Sequence, residues 1–206
     1  MNFSAQDIRR ILGEHRPKTE DLLPGLRPAS VLAPFHPAPE GLSLVFTKRT
    51  AHLDNHSGQI SFPGGMRDQE DLDPLTTALR ETYEEIGVRP EDIEVWGRLN
   101  QEATITGFSV APFVGLVPYP YPFKLADFEV ERLIIVPLAH LMDPDYFGED
   151  LYYMGGRDYK TYKYTYKDDV IWGATARIVH NLLTLLATGR EPDELEFLKQ
   201  VVKPGF

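Results

Sequence analysis

Apolar residues recur along this 206-residue chain in short blocks that resolve into several strands and a few helices. Residues 4–15 place Ile8, Ile11 and Leu12 at helical spacing, the pattern of a short surface helix that Ser4 or Asp7 can cap. The proline-rich stretch 16–41 excludes regular helix and leaves room for a short strand at 29–33. Residues 42–47 (LSLVFT) have the length and the β-branched and aromatic content of a strand. A polar stretch follows, and Phe62-Pro63-Gly64-Gly65 signals a turn. Asp73-Pro74 then marks a helix start, with Asp at the N-cap and Pro in the first turn, and Gly87 marks its end. That helix spans 74–86. Strands are predicted at 93–99, 109–118 and 131–136, a short helix at 137–142, a tyrosine-rich hairpin at 152–166 and a long amphipathic helix at 174–187. With no repeat and no convincing linker, the economical reading is one α/β domain over residues 1–206. It has a mixed sheet of the α+β kind, with the N-terminal helix and the proline-rich segment 1–41 packed on it.

Composition narrows the chemistry. At 42% hydrophobic residues the chain can bury a substantial core, and its net charge of -10 argues against a nucleic-acid partner. An acidic protein can still take an anionic small-molecule substrate if metal ions and a few local cations reverse the field at the site. The absence of cysteine excludes disulfides, thiolate metal sites and a cysteine nucleophile. No apolar run reaches the length of a membrane span, and residues 1–13 lack the apolar core of a signal peptide. The expectation is a cytoplasmic protein without a membrane partner, with a homodimer as one possible assembly.

The densest chemistry lies at Arg80-Glu81-Thr82-Tyr83-Glu84-Glu85-Ile86-Gly87-Val88. On a helix Glu85 lies about 40° to one side of Glu81 and Glu84 about 60° to the other. The three carboxylates share one arc, with Leu75, Leu79, Thr82 and Ile86 roughly opposite, so the helix can bury one face and present the acids. Like charges at these spacings repel, and a hard divalent cation relieves the conflict. A solvated acidic face is the bland alternative. The glycine turn before the helix and the acidic loop of Asp68, Glu70 and Asp71 favour a site, because glycine admits close backbone approach. Arg80 can brace a neighbouring carboxylate by a bidentate pair, with Glu84 as the candidate partner.

Residues 65–88 resemble the Nudix box: Gly, five residues, Glu, seven residues, then Arg-Glu-U-X-Glu-Glu-X-Gly-U with U apolar. Arg80, Glu81, Glu84, Glu85, Gly87 and Val88 match; Thr82 takes an apolar position, one extra residue precedes Arg80, and Asp71 stands where the first Glu belongs. The resemblance implies a Nudix α/β/α sandwich and hydrolysis of a nucleoside diphosphate linked to another moiety, dependent on Mg2+ or Mn2+. Carried over, Glu81 and Glu85 are metal ligands, Glu84 is a ligand or orienting group and Arg80 the brace. Metals neutralise the diphosphate and activate a water, and a carboxylate takes its proton.

Upstream, Thr47, Arg49, Gly58, Phe62, Pro63, Gly64 and Gly65 fall in register with the extra motif of the coenzyme A pyrophosphatase branch of that family. The longer spacing to Arg80 and the segment Ile171-Trp172-Gly173-Ala174-Thr175-Ala176 are also features of the branch. The resemblance spans roughly residues 26–186. It implies coenzyme A as substrate, with Arg49, Gly58, Phe62, Gly64, Gly65 and Arg67 as candidate substrate contacts. Glu129, after the box, is a candidate general base or further ligand, or else a plain loop acid. In one departure Asp54 replaces the motif's second arginine, where Lys48, His52, His56 or Arg67 could compensate; in another, Thr50 replaces Ser or Ala. Packing is the default role for Phe62, Trp172 and the tyrosines at 152, 153, 159, 162, 164 and 166. The rivals are a Nudix hydrolase for ADP-ribose, a dinucleotide or a nucleoside triphosphate, and a Nudix scaffold that binds nucleotides without turnover.

Overall fold

The computed structural model describes residues 3–18, 25–39, 41–51, 58–154 and 157–192. Helix α1 (Ala5–Glu14) leads into strands β1 (Arg27–Ala38), β2 (Gly41–Arg49), β3 (Ile60–Ser61) and β4 (Gly64–Met66). After helix α2 (Pro74–Ile86) come β5 (Glu94–Arg98), β6 (Glu102–Ala103), β7 (Phe108–Leu116) and β8 (Val130–Pro137). Helix α3 (Leu138–Leu141), strands β9 (Phe147–Met154), β10 (Arg157–Tyr166) and β11 (Asp169–Trp172), and helix α4 (Gly173–Thr188) complete the order.

Local signals account for the helices. In α1 the Ser4 hydroxyl accepts from Asp7 N–H while the Asp7 carboxylate accepts from Ser4 N–H, a capping box, and Ile8 and Leu12 are buried. In α2 the Asp73 carboxylate accepts from Thr76 N–H at 2.8 Å, and Gly87 closes the helix at φ 71°.

β1 is far longer than the strand expected at 29–33. Pro34 and Pro37 fall where the ladder asks for no N–H. On one side β1 pairs β4 over Ala29–Val31 and then β2 from Phe35 onward, and Pro34 lies in that change of partner. On the other side the pairing with β7 ends at Phe35↔Leu116, before Pro37.

The main sheet is mixed. β1 and β7 are parallel, whereas β1·β2, β1·β4, β2·β3, β2·β8, β5·β7 and β6·β7 are antiparallel. Alternation along β1 and β7 feeds two cores. Leu32, Ala111 and Phe113 pack with Ala78, Ile86 and Val88 beneath α2. Ala33, Phe35, Val110 and Val114 pack with Ile8 and Leu12 of α1 and with Ile178, Leu182 and Leu185 of α4. This is the α/β/α arrangement implied above.

The tyrosine-rich segment is not a two-stranded hairpin but the larger part of a three-stranded sheet, β11-β10-β9, that begins at Phe147 and takes in β11. Tyr162 and Tyr164 are buried as packing residues, with Tyr162 stacked on His180 at 4.0 Å. Trp172 is 52% exposed rather than core. In β11, Asp169 and Ile171 take the inward positions, so Val170 and Trp172 point out. Among the described residues no helix is long and apolar enough to cross a membrane.

Candidate active site

The carboxylate helix α2 leans on the two glycines of β4. Gly64 and Gly65 pair with Val31 and Ser30 of β1. A Cβ on Gly65 would lie 2.5 Å from Cδ and Oε1 of Glu81, so the missing side chain is the space that the Glu81 carboxylate occupies. At Gly64 (φ 155°) a Cβ would collide with the Ser30 carbonyl and the Val31 backbone.

Arg80 organises the acids around it. Its Nη1 donates to Glu81 Oε1 and to Glu84 Oε2, both at 2.9 Å, which realises the brace on Glu84. The bidentate pair, however, is made with Asp71: Nε donates to Oδ1 at 3.0 Å and Nη2 to Oδ2 at 2.9 Å. Nη2 also donates to the Met66 carbonyl at 3.1 Å. Asp71 further accepts from Asp68 N–H and from the Thr77 hydroxyl, each at 2.9 Å. These donors, Arg80 foremost, hold the Asp71 carboxyl far below the usual carboxylate range, and Arg80 is held correspondingly more basic.

Glu85 departs from the expectation that α2 presents all its acids outward, for it is only 4% exposed. Arg49 Nη1 stands 4.0 Å from Oε1, and Gly64 N–H donates to the carboxylate. Oε2 is buried with no hydrogen-bond partner. Burial above all, then the Glu81 and Glu129 charges, push its pKa up to about 8 against the pull of Arg49 and Gly64. Glu81 is raised as well, first by burial and further by Glu84 and Glu129, with Arg80 opposing. Glu129 is exposed on the turn before β8. That turn is tied to the site by Ala126 N–H to the Glu85 carbonyl at 2.9 Å and by Thr50 N–H to the Glu129 carbonyl at 3.0 Å. The Thr50 hydroxyl also donates to the Phe128 carbonyl at 2.9 Å.

Arg49, Gly64, Gly65, Arg80, Glu81, Glu84, Glu85 and Glu129 therefore converge. Two other expectations do not place a residue there. Phe62 is a core residue, 2% exposed and stacked on Phe46 at 4.6 Å. Arg67 spends its guanidinium on the Asp71 and Leu72 carbonyls, clasping the loop rather than facing a substrate. Gly58 adopts φ 70° in open space. Of the residues weighed against Asp54, Lys48 pairs with Asp169 at 3.6 Å; His52, Asp54 and His56 lie outside the described residues. The pattern along the chain did not single out Thr77, Asp71's buried partner, because only the folded loop brings the two together.

Among the described residues, no group of three or more His, Asp or Glu side chains stands in a ready metal-holding arrangement. Arg80 draws Glu81 and Glu84 to itself, and Glu85 faces Arg49. The donor set nevertheless suits a hard divalent cation. Each candidate donor is a carboxylate oxygen, Glu85 Oε2 lacks a partner, and the absence of a side chain at Gly65 leaves room for the Glu81 carboxylate.

The family model described as NUDIX domain matches residues 26–141. The chain is 35% identical over 156 residues to the "Uncharacterized Nudix hydrolase NudL" of Salmonella paratyphi B, covering 76% of this chain and 81% of that protein. The protein of the same name from Salmonella newport gives the same figures. Among solved structures, a MutT/nudix family protein from Enterococcus faecalis is similar at TM-score 0.49 and 15% identity, over 94% of this chain and 74% of that one. RenU, a Nudix hydrolase from M. smegmatis, is similar at TM-score 0.46 and 23% identity, over 55% of this chain and 72% of that one.

Proposed function

The chain belongs to the NUDIX domain family and is a Nudix hydrolase acting on a nucleoside diphosphate derivative; from that premise we propose that its substrate is coenzyme A or an acyl-coenzyme A, cleaved at the diphosphate to 4′-phosphopantetheine and 3′,5′-ADP. The observation that carries this reading is the run Thr47, Arg49, Gly58 and Phe62 to Gly65, in register with the coenzyme A branch. Arg49 of that run stands beside Glu85 of the carboxylate helix.

Glu81 and Glu85, with Glu84, would hold the divalent ions in this reading. Bound Mg2+ or Mn2+ supplies neutralisation of the diphosphate oxygens and a water of lowered pKa. Arg80, locked by Asp71, fixes the directions of Glu81 and Glu84. Arg49, the cation nearest the buried ligand, orients a phosphate oxygen. Glu129 accepts the proton of the attacking water: it is exposed, makes no ion pair among the described residues, and sits close enough to act on Glu81 and Glu85.

A second reading rests on Asp54. An acid in place of the motif's second arginine favours substrates without a 3′-phosphate, such as ADP-ribose. Chromatographic assay of coenzyme A, 3′-dephospho-coenzyme A and ADP-ribose with Mg2+ separates the two. The expected result is the highest kcat/KM for coenzyme A, abolished in Glu81→Gln. No cleavage of coenzyme A above that control overturns the proposal, and a preference for ADP-ribose establishes the second reading.

A further inference from the structure

Beside Glu84, on the side away from Arg80, a cleft of about 420 Å³ opens between the end of α2 and the loop that follows β7. Tyr83, Glu84 and Gly87 line it from the helix, Arg89 from the link beyond, and Tyr121, Pro122, Lys124, Leu125 and Ala126 from the loop. Its walls are fixed by the backbone. Lys124 N–H donates to the Ile86 carbonyl at 3.0 Å and Ala126 N–H to the Glu85 carbonyl at 2.9 Å, so the open end of the helix holds the loop. The Tyr121 hydroxyl accepts from Arg89 N–H at 3.1 Å and donates to Asp92 at 2.7 Å. Gly87 admits the loop, since a Cβ there would stand 2.8 Å from Lys124 Cβ.

The lining has a definite chemistry. On a chain of net charge -10, Arg89 and Lys124 both face this cleft. Lys124 makes no ion pair among the described residues. Arg89, its own side chain exposed, reaches Glu91 and Asp92 only at 3.8 Å, in surface pairs that contribute little. The one carboxylate of the lining, Glu84, is already held by Arg80. Tyr83, 53% exposed, presents a ring one residue before Glu84. Two available cations beside an open aromatic face match an anion attached to a planar base. Other cations weighed for such an anion are engaged: Lys48 with Asp169, and Arg67 with two carbonyls.

We propose that this cleft is a subsite for the 3′-phosphorylated nucleoside of the substrate, with Lys124 and Arg89 on the 3′-monoester and Tyr83 against the base. Under the coenzyme A reading, on which this assignment of the occupant rests, the moiety is 3′,5′-ADP. The cleft adjoins the carboxylate helix through Glu84, so an occupant there leaves its diphosphate end at the hydrolytic acids.

Calorimetric titration of the full metal-free chain with 3′,5′-ADP and with 5′-AMP tests the subsite without turnover. The expected result is tighter binding of 3′,5′-ADP in the wild type and a loss of about tenfold in Lys124→Ala or Arg89→Ala, with 5′-AMP affected much less. Tyr83→Ala weakens both ligands. Equal affinity for the two nucleotides, or 3′,5′-ADP binding untouched by both cation variants, overturns the proposal. Steady-state kinetics separates it from the hydrolytic reading. Coenzyme A cleavage with a KM unmoved in Lys124→Ala overturns the subsite alone. Lys124-dependent binding of 3′,5′-ADP in a chain that does not cleave coenzyme A supports the subsite and overturns the hydrolytic reading.

Discussion

Replacing Asp71 by asparagine keeps the size of the side chain and removes its charge, which isolates what that charge does. The Asp71 carboxylate is 3% exposed and accepts four hydrogen bonds, two from Arg80, one from Thr77 and one from Asp68 N–H. In the variant the amide NH2 must face at least one of these donors, and the guanidinium loses its bidentate partner. Breaking a buried ion pair by neutralising one member costs about 3–5 kcal/mol. The lower end applies here, because Arg80 keeps Glu81, Glu84 and the Met66 carbonyl. About 3 kcal/mol corresponds to a fall in Tm of roughly 6–12 °C for a chain of this size. Thermal unfolding followed by circular dichroism near neutral pH measures it. The folded pKa of Asp71 is lowered, so its contribution is complete above the unfolded value of about 3.9 and fades as the pH falls below it. The gap between wild type and variant is therefore flat from pH about 6 to 8 and closes in acid. A fall in Tm below about 2 °C, or a gap that widens on acidification, refutes the reasoning.

Three further outcomes follow from the same geometry. Glu85→Gln lowers hydrolysis by about a hundredfold yet leaves the metal-free protein as stable or more stable at neutral pH, as thermal melts in chelator will read. Its carboxyl is raised to about 8, so ionising it in the fold is unfavourable, and wild-type stability declines as the pH rises from the ordinary glutamate range toward that value, while the variant, which keeps only the raised Glu81, declines less. Gly65→Ala displaces the flexible end of Glu81 and leaves Tm nearly unchanged, with Mn2+ affinity reduced by about tenfold in a titration followed by electron paramagnetic resonance. Gly64→Ala meets the backbone of Ser30 and Val31 at a positive φ and destabilises by about 2 kcal/mol in denaturant titration.

Helix α2 was legible in the sequence to the residue, because both of its boundary signals, Asp73-Pro74 and Gly87, act within one turn of the chain. The Arg80–Glu84 contact was legible too, since helical spacing alone brings those residues together. Asp71 was visible as a box position but not as Arg80's bidentate partner, for it arrives from a loop nine positions away. Burial of Glu85 under β4 was likewise hidden: an arc on a helix does not say which of its edges the sheet will cover. β1 was underestimated because prolines argue against strands unless the partners on each side are known. β3, β4 and β6 are too short to leave a periodic signal. The misplacement of Trp172 has a plain cause: Ile171 and Trp172 are adjacent and both apolar, and only pairing with β10 decides which one faces in. The cleft beside Glu84 depends on backbone bonds from Lys124 and Ala126 to the end of α2, which no local pattern encodes.

Phosphorus NMR of coenzyme A incubated with the full chain, with Mg2+ and again with excess chelator, tests most directly whether the acids of α2 hydrolyse a diphosphate. With Mg2+ the two coupled diphosphate resonances should disappear and two new monoester resonances should join the 3′-phosphate signal. Chelator, and the substitution Glu81→Gln, should each leave the starting spectrum in place. A diphosphate signal that persists in the presence of Mg2+ contradicts the coenzyme A assignment, and conversion that proceeds equally in chelator or in Glu81→Gln contradicts the metal-bearing role of the helix.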